Sequence, residues 1–83
     1  MIAPRAEKGL RALGAVDQGR VRKFLRTKLE GVGNPRLLGS ALAGNMTGIW
    51  RYRVGDIRLL CELFDDNRLI LVTDIGHRRE IYR

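Results

Sequence analysis

Four arginines in the last part of the chain have the residue type and the spacing to bind a phosphate group. Arg51 and Arg53 lie two residues apart in a predicted strand, so their side chains share one face of it. Arg58 follows a predicted turn, and Arg78 follows the last predicted strand. Guanidinium groups make planar, bidentate contacts with phosphate, so the set predicts a phosphate-binding face. Taken singly, each is also consistent with an exposed strand arginine that blunts a sheet.

Two residues of the C-terminal stretch could add proton transfer or stacking to that face. His77 is the one histidine of the chain. Imidazole changes charge near neutral pH, and a neutral histidine among arginines would suit a general base. Tyr82 could donate a hydrogen bond or stack on a base. The alternatives are an exposed histidine in a frayed tail and a tyrosine that covers the end of the core.

The overall charge points to an acidic partner. The chain has 83 residues, a net charge of +7, thirteen arginines and three lysines. This bias favours a polyanion or an acidic protein as partner over a merely solvated basic surface. With 45% hydrophobic residues the chain is expected to fold as one domain over residues 1–83, with a small core.

Other classes of site receive little support from the composition. Cys61 is the only cysteine and lies in an apolar run, which predicts a buried thiol and no disulfide within the chain. One histidine and no clustered acids argue against a metal site, and no cofactor is expected. The sequence has no leader and no long apolar span, so a cytoplasmic protein that does not contact a membrane is expected.

Periodicity predicts two helices followed by a β-meander. Proline suits the first turn of the first helix, and Asp17 is a candidate N-cap for the second. Gly55–Asp56 is the predicted turn of the first hairpin. The predicted elements are helices over 4–13 and 17–30 and strands over 47–54, 57–64 and 68–75, with 41–43 either helical or extended. The class is α+β, with two N-terminal helices packed on one face of a small antiparallel sheet.

The alternation of side chains decides which face each strand residue occupies. Trp50, Tyr52 and Val54 are expected to face the helices, because aromatic and branched side chains belong in the core. Arg51 and Arg53 then point to the open face. The next strand, 57–64, is apolar at nearly every position, as expected for a strand covered on both faces.

Two segments together resemble a known superfamily. They are residues 48–58, Gly-Ile-Trp-Arg-Tyr-Arg-Val-Gly-Asp-Ile-Arg, and residues 76–83, Gly-His-Arg-Arg-Glu-Ile-Tyr-Arg. Both are similar to the RelE/ParE superfamily of bacterial toxins, and most closely to its RelE side. The resemblance implies the toxin of a type II toxin–antitoxin system, a metal-free endoribonuclease that cleaves messenger RNA on the ribosome by attack of the ribose 2′-OH. It also implies a cognate acidic antitoxin that binds the toxin in a hetero-oligomer.

The resemblance assigns roles to individual positions. The family's catalytic positions match Arg51, Arg53, Arg58, His77, Arg78 and Tyr82. The best-known RelE has lysines where this chain has the first two arginines. Since arginine does not deprotonate readily, these two are expected to clamp phosphate, with the base role moved to His77 or lost.

A second departure from the superfamily lies at the N-terminus. Relatives carry a strand before the first helix, where this chain has only Met1–Ala3. We therefore expect that strand to be short or missing, which would leave one sheet edge open.

Two rival functions remain open from the sequence. One is a ParE-like toxin that is not a nuclease and inhibits DNA gyrase. The other is a catalytically inactive basic module that binds nucleic acid, which would show binding steeply dependent on salt and no cleavage.

Overall fold

Two helices precede a four-stranded antiparallel sheet, which confirms the predicted α+β class. The computed structural model describes residues 1–29, 34–42, 48–64, 66 and 69–77. The sheet order is β1-β2-β3-β4. The elements are α1 (Pro4–Ala12), α2 (Ala15–Phe24), a π-helical turn (Leu25–Leu29), a 3-10 turn (Pro35–Leu37), β1 (Ser40–Ala41), β2 (Trp50–Val54), β3 (Ile57–Phe64) and β4 (Leu69–His77).

The helices begin and end differently from the prediction in two places. The predicted cap at Asp17 is wrong, since Gly14 is the N-cap of α2 and Asp17 lies in its first turn. The cause is a short, extended link of Leu13 and Gly14, which lets the Gly14 carbonyl accept the first helical hydrogen bond from Gln18 at 2.9 Å. Regular α-helix ends at Phe24 and continues as the π-helical turn. The predicted end at Glu30 lies outside the described residues.

The strands agree with the prediction except at their ends. β3 has the predicted bounds, whereas β2 begins at Trp50 and β4 continues to His77. The predicted starts at Thr47 and Arg68 lie outside the described residues. Ser40–Ala41 forms an additional strand that pairs with β2, so Ala41 is extended. Ala43, the last residue of the stretch with two alternatives, lies outside the described residues.

The N-terminal segment takes the place of the expected short first strand. Ile2 forms a parallel bridge with Val72 of β4. The Val72 amide donates to the Met1 carbonyl at 2.9 Å, and the Ala3 amide donates to the Val72 carbonyl at 2.8 Å. These residues therefore cover part of the β4 edge that we expected to be open.

The core lies between the helices and one face of the sheet. It is formed by apolar residues of both helices, of the π-helical turn and of β2, β3 and β4: Ala6, Leu10, Leu13, Val21, Leu29, Tyr52, Ile57, Leu59, Cys61, Val72 and Ile75. Cys61 is fully buried, as predicted. Among the described helices, none is long and apolar enough to cross a membrane.

Candidate functional site

A tight hairpin brings two of the predicted arginines together. Gly55 has a φ of +59°, and its turn with Asp56 joins β2 to β3 so that Val54 pairs with Ile57. The next pair in the register is Arg53 with Arg58. Residues directly opposite in an antiparallel ladder project from the same face, so the two guanidinium groups share one side of the sheet.

The second face of the sheet carries the arginines, as the alternation predicts. Tyr52 is 1% exposed and belongs to the helix-side core, whereas Arg53 is exposed. Arg51 lies opposite Leu60, two residue pairs further from the turn than Arg53 and Arg58. Leu60 is buried but does not belong to the helix-side core, which places it with the arginines on the second face.

Arg58 is the most unusual member of the set. It is only 4% exposed, and it is the one charged side chain that is buried among the described residues. Its Nε and Nη1 atoms have no hydrogen-bond partner within the described part of the chain. Since burying a charge without compensation is costly, the arrangement suits an anion that would enter beside Arg58.

Arg51 is positioned by the strand that the sequence did not clearly predict. Its Nη2 donates to the Ser40 hydroxyl at 3.1 Å, and Ser40 pairs with Arg51 in the β1–β2 ladder. Sequence reasoning missed Ser40 because eleven residues separate the two. A signal was present in Gly39, whose φ of +73° directs the chain into β1.

His77 lies at the end of β4 and is exposed. The register pairs it with Ile57, whose side chain belongs to the helix-side core, while Arg58 pairs with Gly76. The side chain of His77 therefore starts from the opposite face of the sheet to Arg58. Arg78 and Tyr82 lie outside the described residues.

A cleft opens beside the two arginines of β2. Its volume is about 360 Å³. The lining residues come from α2, from the segment before β1, from β1 and from β2: Phe24, Leu38, Gly39, Ser40, Arg51, Tyr52 and Arg53. The prediction from sequence did not include Phe24 or Leu38, because both lie far from β2 along the chain.

Two hydrogen bonds fix the wall of this cleft. Trp50 Nε1 donates to the Leu38 carbonyl at 2.6 Å, and the Tyr52 hydroxyl donates to the Pro35 carbonyl at 2.9 Å. A Cβ at Gly39 would overlap the Arg51 carbonyl oxygen. The Arg36 guanidinium lies 5.8 Å from the centroid of the Trp50 ring, which adds a cation–π contact.

The titratable groups of the core are held neutral. Burial raises the pKa of the Tyr52 hydroxyl to about 12. Burial also raises the pKa of the Cys61 thiol to about 12. Neither group can serve as a base or a nucleophile near neutral pH. No group of three or more potential metal ligands is present among the described residues.

The comparison with known families decides the assignment. The family described as the ParE toxin of type II toxin–antitoxin systems, parDE, matches residues 1–82. The chain belongs to this ParE toxin family. Among curated proteins, none matches the sequence at a significant level.

Solved structures share the fold of this ParE-family chain. A RelBE toxin–antitoxin complex from Mycobacterium tuberculosis is similar with a TM-score of 0.85 and 23% identity, covering 94% of each chain. The isolated RelE toxin of Escherichia coli has a TM-score of 0.71 and 27% identity, covering 98% of this chain and 86% of the other. A RelB–RelE complex from Methanococcus jannaschii has a TM-score of 0.75 and 19% identity, covering 99% and 94%. The relationship to the RelE/ParE superfamily that the two sequence segments suggested is thereby confirmed.

Proposed function

We propose that this chain is the endoribonuclease toxin of a type II toxin–antitoxin pair and cleaves messenger RNA on the ribosome without a metal. The observation that carries the proposal is Arg58. Its guanidinium is buried, and two of its nitrogen atoms lack a hydrogen-bond partner within the described residues. Arg53, which is exposed, lies directly opposite Arg58 across the β2–β3 hairpin. A buried cation beside an exposed one suits a polyanion that arrives from solvent and places one phosphate between them.

The three described arginines have different proposed roles at that phosphate. Arg53 is exposed, so it contacts the backbone of the incoming RNA first. Arg58 contacts the scissile group, where its charge counts for more because water is excluded. The Arg51 guanidinium is held by its hydrogen bond to the Ser40 hydroxyl and binds the neighbouring part of the RNA backbone. Fixed positive charge aimed at a developing pentavalent phosphorus lowers the barrier without any covalent role for the protein.

The reaction is a transesterification. The ribose 2′-oxygen attacks the adjacent phosphorus and forms a new O–P bond, and the bond from phosphorus to the 5′-oxygen breaks. The 2′-OH proton goes to a base, and an acid returns a proton to the leaving 5′-oxygen. The products are a 2′,3′-cyclic phosphate and a 5′-hydroxyl, so no water is consumed in this step.

His77 is the proposed base, because arginine does not deprotonate readily. Its position at the exposed end of β4 lets it approach RNA that crosses the hairpin end of the sheet. Arg78 is proposed as a further phosphate contact, and Tyr82 as the acid or as a stacking platform. These three roles follow from the resemblance of residues 76–83 to the superfamily.

Cleavage is proposed to depend on the ribosome because the arginines cannot align the attacking 2′-OH by themselves. Guanidinium groups bind phosphate oxygens but do not align a 2′-OH with the P–O5′ bond. In-line geometry accounts for a large part of the barrier when it is supplied in advance. The ribosome is proposed to hold the messenger in that geometry, which also implies action in the cytoplasm.

The proposed partner in the resting cell is a small acidic antitoxin. The similar structures from Mycobacterium tuberculosis and Methanococcus jannaschii are both toxin–antitoxin complexes. A net charge of +7 favours fast, salt-sensitive association with an acidic chain. We expect the antitoxin to place carboxylates near Arg53 and Arg58 and to form a hetero-oligomer with the toxin. A monomer purified from its native operon with no small acidic chain would contradict this part.

The test is single-turnover cleavage of a labelled messenger on programmed ribosomes. Arg58→Ala should lower the rate by about a hundredfold or more, because it removes a charge from the transition state. Arg22→Ala is the matched control, since Arg22 is an exposed cation on α2. The cleaved 5′ end should accept a phosphate from polynucleotide kinase without prior phosphatase treatment. Equal rates for both variants and the wild type would remove the nuclease assignment.

The family match leaves one alternative function open, that of a ParE-like toxin. The matching family is described by its ParE toxin, and ParE-like toxins of the superfamily inhibit DNA gyrase. A supercoiling assay separates the two: inhibition of gyrase with no cleavage of ribosome-bound messenger would favour the ParE-like activity. Salt-dependent binding of nucleic acid without either effect would favour the inactive binding module.

A further inference from the structure

A carboxylate lies beside the buried Arg58 on the second face of the sheet, which carries the arginines. Asp74 of β4 pairs with Leu60 of β3, and Leu60 belongs to this face. Arg58 pairs with Gly76, two residues further along β4, so Asp74 is its diagonal cross-strand neighbour. Side chains in such diagonal positions start about 7–8 Å apart, which a long side chain can span. The Asp74 carboxylate is therefore within reach of the Arg58 guanidinium.

The Asp74 carboxylate is nevertheless paired with a different arginine. Its Oδ2 lies 3.4 Å from Nε of Arg5, which belongs to the first turn of α1. The backbones of α1 and β4 approach closely at Gly9 and Ile75, and Arg5 lies one helical turn before Gly9. Meanwhile Nε and Nη1 of Arg58 have no hydrogen-bond partner within the described residues. Arg5 thus holds, at the edge of β4, the carboxylate that could neutralise Arg58.

The Arg5–Asp74 ion pair contributes little to the stability of the fold. The Arg5 side chain is 81% exposed, and water screens a pair with so exposed a partner. A cation in the first turn of a helix also opposes the helix dipole. Stability of α1 therefore does not account for an arginine at this position, whereas its contact with Asp74 gives it a role at the phosphate site.

We propose that Asp74 is an internal competitor for the phosphate site at Arg58, and that Arg5 is a positioning residue that keeps this site open. Arg5 does so by holding the Asp74 carboxylate away from Arg58. The inference rests on the proposed role of Arg58 in binding the scissile phosphate and deepens it. When Arg5 is lost, the carboxylate turns to Arg58 and occupies the guanidinium that the RNA phosphate needs.

Asp74 is better placed for this role than the other carboxylate of β3 and β4, which is Glu62. Glu62 lies four residues from Arg58 along β3, which corresponds to about 13 Å at the usual rise of a strand. Asp74 lies on the neighbouring strand, only one diagonal position from Arg58. Removal of Arg5 is therefore expected to act at Arg58 through Asp74.

The experiment is a double-mutant cycle between Arg5 and Asp74, read out by the binding of inorganic sulfate. The rise in melting temperature with sulfate concentration gives an apparent Kd, with sodium chloride of equal ionic strength as the reference. Arg5→Gln should weaken sulfate binding about tenfold, because the Asp74 carboxylate then competes at a poorly solvated cation. In the Asp74→Asn background the same change at Arg5 should have little effect, because the competitor is gone. Arg5→Lys keeps the charge and should bind sulfate about as tightly as the wild type.

A second ion pair of α1 provides the matched control. Arg11 Nε lies 3.4 Å from a carboxylate oxygen of Glu7, and the Arg11 side chain is 73% exposed. Arg11→Gln removes the same charge from the same helix but leaves the partner of Asp74 in place, so it should change sulfate binding little. All these variants should melt close to the wild type without sulfate, because both pairs are exposed. An equal effect of Arg5→Gln with and without Asp74 would show that only net charge matters, which would overturn the proposal.

The sulfate measurements also separate this inference from the proposed function. If sulfate stabilises the wild type no more than sodium chloride does, the phosphate site at Arg58 is wrong, and both proposals lose their basis. If sulfate binding depends on Arg58 but shows no coupling between Arg5 and Asp74, only the positioning role is wrong. Cleavage on programmed ribosomes gives a second readout: Arg5→Gln should slow it, and adding Asp74→Asn should restore it. Slow cleavage that Asp74→Asn does not restore would contradict the proposal.

Discussion

Arg53 and Arg58 stand directly opposite each other across the β2–β3 hairpin, one exposed and the other only 4% exposed. Like charges in this position repel, and the buried member also loses its hydration. Both effects destabilise the folded protein while the site is empty. An anion between the two guanidinium groups would reverse both, so the pair links ligand binding to stability.

Replacing Arg58 by methionine should therefore stabilise the protein and inactivate it. The apolar side chain removes a buried charge, and the free energy of unfolding should rise by about 1–3 kcal/mol. Single-turnover cleavage should fall by about a hundredfold or more. Chemical denaturation and the ribosome assay measure the two effects. Arg22→Met, on the exposed surface of α2, should change neither; a less stable Arg58→Met with normal activity would contradict the assignment.

An oxyanion should stabilise the wild type through the same pair. Sulfate or phosphate at ten times its dissociation constant should add about 1.4 kcal/mol, since a ligand that binds only the folded state shifts unfolding by mass action. Arg58→Met should lack this gain when sodium chloride of equal ionic strength is the reference. Equal stabilisation of both proteins would point to the general effect of these salts on apolar burial.

Local patterns were sufficient to predict the β2–β3 hairpin and the faces of the β2 arginines. The alternation in residues 50–54 and the Gly55–Asp56 turn predict the β2–β3 hairpin, its bounds on the β3 side and the faces of Arg51 and Arg53. These features depend on neighbouring residues and on a two-residue turn, which fix the register without any long-range contact.

Features that depend on distant residues could not be predicted. The alternation of side chains does not predict that Arg58 is buried, and the cleft depends on Phe24 and Leu38 meeting β2. The N-cap of α2 was misassigned because aspartate has a strong intrinsic preference for that position. The short link before α2 instead makes Gly14 the N-cap. The opposite faces of His77 and Arg58 follow from the β3–β4 register, which includes an irregularity between Leu60 and Cys61.

Gly9 should be essential for seating α1 on β4. A Cβ at this position would overlap the Ile75 carbonyl oxygen, which belongs to backbone and cannot move aside. Gly9→Ala should lower the free energy of unfolding by about 1–3 kcal/mol despite the better helix propensity of alanine. Gly19→Ala is the matched control in α2, because its Cβ would meet nothing within 4 Å. It should gain about 0.5–1 kcal/mol; similar values for the two variants would mean that α1 packs differently.

The Cys61 thiol should make the protein lose stability in alkaline solution. Burial raises its pKa from 9.0 to about 12, so the folded protein keeps the proton to higher pH than the unfolded chain does. The corresponding stability is fully present below pH 9.0, where the thiol of the unfolded chain is protonated, and is lost as the pH rises toward about 12. Between pH 8 and pH 10 the loss from this group should be on the order of 1 kcal/mol.

Cys61→Ala isolates that contribution. The variant leaves a small cavity, so it should be less stable than the wild type at pH 8. Its free energy of unfolding should nevertheless fall less between pH 8 and pH 10, by on the order of 1 kcal/mol, because no thiol titrates in its unfolded chain. Tyr52 remains in both proteins, and because burial is the largest cause that raises its pKa from 10.0 to about 12, most of its effect cancels in the comparison. Parallel pH profiles for the two proteins would show that the thiol titrates in the folded state as it does in the unfolded chain, which contradicts its complete burial beneath the helices.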